Sequence, residues 1–265
     1  MSGTDHTIES VRSRSSSARL TNLMKRATSL AENGRYDEAI ANLREAMTIC
    51  PHDPRCSVQL ANIYRAQNRI GLAVEAMHRA VELDPANSTV HEQLLQTLIE
   101  LGRYDEAIEI SRSLLRQFPK NLYARDVLGI AYLQQGKIDK ALAVTDELIR
   151  LAPSDAAHHF KKAVLLQQKG EISQSMAAFT RALDMDPNGE MADDAREAIA
   201  ALDSYQLRQI LTIAVEDAVF RAKLMLDAES AALEKGFLLS SSGVAALRQL
   251  NLESLPGDTQ NRYYH

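Results

Sequence analysis

Five prolines, Pro51, Pro85, Pro119, Pro153 and Pro187, stand 34 residues apart along the chain. A single globular core has no use for that regularity, because neighbours in space need not be evenly spaced in sequence. A constant interval of this length marks one supersecondary unit copied in tandem, each copy burying its apolar face against the next. Dividing the chain at the proline interval gives five units, 20–53, 54–87, 88–121, 122–155 and 156–189.

Aligned this way, the units agree in several columns. Gly34, Asn68, Gly102, Gly136 and Gly170 are residue types that tolerate the left-handed backbone ending a helix. Five places on, Ala39, Ala73, Ala107, Ala141 and Ser175 would let two helices approach closely, followed by Ile40, Val74, Ile108, Leu142 and Met176. Helical spacing of apolar residues follows the turn, as in Ala73, Val74, Met77, Ala80 and Val81, and precedes it, as in Leu60, Ala61 and Tyr64. Each unit is thus a helix, a tight turn, a second helix and a proline-bearing stop. A lone pair could not bury both faces, so five stacked pairs are expected to form an all-α, right-handed superhelical α-solenoid.

The segments Gly34-Arg-Tyr-Asp-Glu-Ala-Ile40 and Gly102-Arg-Tyr-Asp-Glu-Ala-Ile108, with the endings Ala80-Val-Glu-Leu-Asp-Pro85 and Ala182-Leu-Asp-Met-Asp-Pro187, resemble the tetratricopeptide repeat. The resemblance covers residues 20–189. Two departures stand out. The aromatic that the family often carries early in the first helix is replaced by Leu23, Ser57, His91, Arg125 and His159. Units three and four carry Leu114 and Leu148 where a small residue is usual, and Ser111 and Thr145 three positions earlier where Leu43, Met77 and Phe179 are bulky. That pairing conserves volume approximately, which cores tolerate better than one-sided enlargement.

Outside the repeats, residues 1–19 are Ser- and Arg-rich and read as a mobile arm. Residues 190–202 read as a helix capping the last repeat, 203–250 as a helical module, and 251–265 as a disordered tail. The module is expected to hold helices near Tyr205–Val215, Ala218–Leu226 and Val244–Leu250. Its spacing Asp217…Phe220-Arg221…Leu224…Ala232-Leu233…Gly236…Leu239-Ser240…Ala246-Leu247…Leu250 is similar to a small helical module of bacterial peptide-modification and ring-cleaving-dioxygenase-like proteins.

Family resemblance implies binding of an extended peptide or a partner helix along the concave face, lined by the first helix of each pair. On this chain that face takes Met24, Arg55, Val58, Asn62, Arg65, Glu92, Ile99, Tyr123, Asp126, Ile130, Leu133, Phe160 and Val164. Its N-terminal half is polar and cationic, its other half an apolar stripe, so the expected ligand is an apolar or amphipathic segment whose acidic end lies near Arg55 and Arg65. The alternative is that the chain's own C-terminal helices fill the stripe, or that neighbouring first helices bury it. The carboxylate clamp of one groove type needs Lys and Asn where this chain has Met24, Thr28, Gln59, Thr89 and Gln93, so a chaperone-tail adaptor is not expected.

Function follows as a non-enzymatic protein-interaction scaffold. The alternative is an accessory subunit of a peptide-modifying or biosynthetic system whose C-terminal module contacts the substrate. No cofactor, metal or catalytic residue is expected, for there is no phosphate loop or nucleophile elbow, and Cys50 and Cys56 read as small apolar residues at helix ends. With 30 Lys and Arg against 35 Asp and Glu, the chain lacks the basic excess of a nucleic-acid binder. No run approaches the ~18 apolar residues of a membrane span, and a cytoplasmic protein is expected. Homo-oligomerisation through the C-terminal helices is left open.

Overall fold

The computed structural model describes residues 3–252, and among these there are fourteen helices and no strand. Ten of them form the five helix-turn-helix units: α1 (Gly3–Glu32) and α2 (Tyr36–Ile49), α3 (Pro54–Ala66) and α4 (Ile70–Leu83), α5 (Ser88–Glu100) and α6 (Tyr104–Gln117), α7 (Leu122–Gln134) and α8 (Ile138–Leu151), α9 (Ala156–Lys169) and α10 (Ile172–Met185). Then come α11 (Ala192–Glu216), α12 (Ala218–Leu226), α13 (Ala228–Glu234) and α14 (Ser241–Gln249). The chain divides into two compact units, Met1–Ala131 and Tyr132–His265, with the boundary inside α7.

Turn and packing columns behave as their chemistry requires. Gly34, Asn68, Gly102, Gly136 and Gly170 all have positive φ, from 57° at Asn68 to 84° at Gly170. Ala39, Ala73, Ala107, Ala141 and Ser175 are all fully buried. The exchange in units three and four is a buried one on both sides: Ser111 and Leu114, Thr145 and Leu148 are as enclosed as Leu43 and Ala46 or Met77 and Ala80.

The prolines do more than stop helices. Pro119 O accepts from Arg125 Nη2 at 2.7 Å, Pro153 O lies 3.2 Å from His159 Nε2, and Pro187 O accepts from Arg196 Nη2. The column vacated by the family's aromatic therefore carries, at Arg125 and His159, side chains that fold back onto the preceding stop; His91 instead meets Asn87 O at 3.0 Å. Two residues after each of four prolines stands an N-cap, with Asp53, Asn87, Asn121 and Asp155 accepting from the amides of Arg55, Val90, Ala124 and Ala157.

In the first unit α1 starts at Gly3, so the helix expected from Leu20 also runs through the Ser- and Arg-rich segment. In the second, one continuous α11 replaces the expected capping helix and separate helix over 205–215. Nothing between 192 and 216 is Gly or Pro, and Ser204 turns its hydroxyl back to Ala200 O at 2.9 Å, so no stop exists where one was expected. The N-terminal half of α11 closes the last repeat, its Ala195 and Leu202 joining Ala163, Leu166, Met176 and Phe179. The C-terminal half supplies Ile210 and Ala214 to a second cluster with Phe220, Leu224, Ala228, Ala231, Leu247 and Leu252. Short α13, not anticipated from sequence, starts where Asp227 caps it through Ser230 N. All but the first two residues of the expected tail, 253–265, lie outside the described residues.

Candidate functional site

In the first unit the candidate face is carried by α3, α5 and the start of α7. Arg55 and Arg65, the cations expected to hold a ligand's acidic end, already have partners. Arg55 is clasped by Asp53, with Nη2 to Oδ2 at 2.6 Å and Nε to Oδ1 at 3.0 Å. That hydrogen bond, foremost among the causes, holds the Asp53 carboxyl below its usual range and raises the Arg55 guanidinium. Arg65 Nη2 reaches Glu100 Oε2 on the next repeat at 3.1 Å.

The opposite charge gathers farther along. Glu92 accepts from Asn121 Nδ2 at 3.1 Å, and Glu100 also takes Gln96 Nε2 at 3.0 Å. On α7, Tyr123 is 39% exposed and its chain neighbour Leu122 40%. Burial of its inner part pushes the Tyr123 phenol up, and the carboxylates of Glu92, Asp126 and Glu100 push it further in the same direction. The fields of three acids thus act on one half-exposed aromatic, and Ile99 and Ile130 are half-buried on α5 and α7. Val58 is half-buried and Asn62 exposed. Asn62 joins Thr28, Tyr36 and Gln59 around a cavity of about 380 Å³. Met24 is 8% exposed and belongs to the core of the first pair, so its expected place on the face is corrected: an apolar side chain one turn from Ala27 and Leu20 is drawn inward with them.

In the second unit Leu133 is half-buried. Phe160 stands edge-on to Phe179, ring centroids 5.3 Å apart at 72°, and both Phe160 and Val164 pack on the cluster closed by α11, as does Leu238. These two residues therefore spend part of their apolar surface on internal contacts, for Phe160 with the second helix of its own pair.

Cys56 is fully buried and burial pushes its thiol up to about 11, so at neutral pH it stays protonated and unreactive. Among the described residues no group of three His, Cys, Asp or Glu could hold a metal ion, and no helix is long and apolar enough to cross a membrane.

Sequence reasoning missed Leu122, which had no apolar column to mark it, and a polar clasp in the second unit. Asp203, 6% exposed, accepts from Ser240 N at 2.9 Å and from the Ser240 hydroxyl, while Ser240 Oγ caps α14 through Gly243 N at 3.1 Å. Gln206, 1% exposed, takes Leu238 N at 2.9 Å and donates to Leu238 O at 2.8 Å. The only advance signal was two polar residues three apart on the inner side of a helix.

Sequence models of the tetratricopeptide repeat match residues 30–97, 65–124 and 128–200. No curated protein sequence matches the chain. Among solved structures it is similar to MamA, residue 41 to the end, from Desulfovibrio magneticus RS-1, with 16% identity and a TM-score of 0.54 over 65% of this chain and 97% of that one. A crystal structure of MamA protein gives 19% identity and a TM-score of 0.55 over 64% and 92%. YrrB, described as a TPR protein with an unusual peptide-binding site, gives 17% and 0.53 over 66% and 90%. Likeness at these identities is one of fold. Repeat columns, turn geometry and family matches spanning well over half of its length agree: the chain belongs to the tetratricopeptide repeat family.

Proposed function

We propose that this chain is a non-enzymatic cytoplasmic scaffold that holds a peptide or helix of a partner protein on the first-helix face of its repeats, with the main contact at Tyr123. The observation that carries this reading is the half-exposed Leu122–Tyr123 pair beside Glu92, Asp126 and Glu100. On this reading the ligand's polarity is the reverse of the one expected from the sequence. An acidic end would have to displace Asp53 from Arg55 or Glu100 from Arg65, whereas a Lys or Arg side chain over Tyr123 gains the aromatic face and the fields of Glu92 and Asp126 without breaking either pair. The peptide-binding site of YrrB is compatible with such a role.

The test is a fluorescence-anisotropy titration of the full chain with two sets of peptides sharing one apolar core, flanked by Lys and Arg or by Asp and Glu. Basic peptides should bind more tightly and lose affinity as salt rises. Tyr123→Ala should weaken them by about tenfold or more, and Asp126→Lys should abolish the preference. Tighter binding of the acidic set, or indifference to Tyr123→Ala, would remove the reading.

A further inference from the structure

The cavity of about 380 Å³ between α1 and α3, with Tyr36 at the start of α2 also on its wall, has a cause in the repeat columns. Ala31 of α1 and Ala66 of α3 line it. One repeat on, the same two columns carry Arg65 of α3 and Glu100 of α5, whose side chains bridge those helices at 3.1 Å. Where the second interface holds an arginine and its carboxylate, the first has two side chains that end at Cβ. The space left is one that the chain itself fills with a guanidinium one repeat later.

The groups around the cavity favour the same chemistry. Glu32 is the one charged residue on its wall; it is exposed and makes no side-chain hydrogen bond or ion pair among the described residues. Cations near it in the chain are engaged or distant. Arg35 is held by Glu38 at 2.6 Å, Arg55 by Asp53, Arg65 by Glu100, and Arg69 lies 5.2 Å from the centre of the Tyr64 ring. Lys25 and Arg26 stand about 10 Å back along α1, where salt screens an exposed pair. The Tyr36 hydroxyl and the Asn62 amide are likewise unspent among the described residues, whereas Gln59 Nε2 donates to Thr28 Oγ1 at 3.2 Å. Ala31, Ile63 and Ala66 supply the apolar part of the wall. An apolar stem ending in a planar, cationic cluster of donors matches all of these together. An acidic group would meet Glu32 with like charge, and an uncharged apolar one would strip it of water without return.

We infer that this cavity is a specificity pocket for an arginine side chain of the bound peptide, with the guanidinium at Glu32 and the stem against Ile63 and Ala66. As an anchor for that peptide it rests on the reading given above, but as a pocket it lies on other repeats than Tyr123.

Titration of Nα-acetyl-arginine N-methylamide into the isotope-labelled full chain, followed by amide chemical shifts, tests it. Saturable shifts are expected within residues 28–36 and 59–66. The norleucine analogue, similar in stem and lacking the charge, should bind at least about fivefold more weakly, and Glu32→Gln should cost the arginine probe a similar factor. Ala31→Arg combined with Ala66→Glu copies the next interface into this one and should abolish the shifts, with helicity by circular dichroism unchanged. Tyr123→Ala should leave the affinity of the probe as it is, so that failure of this pocket and failure of the Tyr123 reading are told apart. Equal binding of the two analogues, no saturable shift at these residues, or indifference to Glu32→Gln overturns the inference.

Discussion

A Cβ placed on Gly136 would meet no atom within 4 Å, and the same is true at Gly34 and Gly170, so what excludes a side chain from these turns is the backbone alone, at φ of 70°, 73° and 84°. An L-residue with a Cβ is strained at such angles because Cβ crowds the neighbouring carbonyl oxygen. Gly136→Ala is therefore predicted to cost about 1–2 kcal/mol with no new contact to blame. Asn68 occupies the same column at φ 57° and already bears part of that strain, which its short polar side chain softens. Asn68→Gly should be neutral or stabilising by up to about 1 kcal/mol, the reverse sign for a substitution in the same column. Urea midpoints of the two variants check the pair, and equal signs would show that something other than φ governs the turn.

Between elements, the proline interval made the repeat fold legible because each column repeats one physical demand: small residues at the close approach, left-handed turns, apolar faces. The buried exchange in α6 and α8 could be read for the same reason, since two columns change together. It supports a prediction at this scale. Leu114→Ala leaves a void in a site with no exposure and should cost about 2–5 kcal/mol. Ser111→Leu overfills by itself, costing about 1–3 kcal/mol, but its hydroxyl has no hydrogen-bond partner to lose. Combined, the two restore the arrangement of Leu43 with Ala46, so the double variant should be markedly more stable than the sum of the singles, with a coupling of about 1–3 kcal/mol. Additive losses in denaturant titrations would mean that the columns are independent. What remained illegible has an equally physical cause. The clasp of Asp203 and Gln206 joins residues more than 30 apart, by single contacts that no second repeat copies. Even Gly243 fits only because a Cβ there would lie 2.5 Å from the Asp203 carboxyl carbon, a constraint set by a distant helix. At the candidate face, the sequence placed Tyr123 and the arginines correctly on first helices but not the pairing of Arg55 and Arg65, because their partners come from the cap position and from the next repeat.

Over the whole chain, the decisive property is how far a local loss can spread. Within each compact unit, every substantial helix-to-helix contact joins elements no more than three apart in chain order, such as α3 with α4, α9 with α10 and α11 with α14. Stability in such an architecture is nearly a sum of repeat terms and nearest-neighbour terms, so a defect lowers the opening energy of its own surroundings first. Phe179 gives a severe and well-placed defect: it is 1% exposed, stacks edge-on with Phe160, and lies in the cluster that α11 closes. Phe179→Ala should cost about 3–5 kcal/mol. Native-state hydrogen exchange should then show faster opening of amides in α9, α10 and the first half of α11. Amides of α3 and α4, three repeats away in chain order, should keep their wild-type protection, because nearest-neighbour coupling weakens with each repeat. A single all-or-none transition would instead lower protection in every helix by the same amount. The profile along the chain, rather than the midpoint of a melt, is the quantity that separates the two, since both predict a lower midpoint.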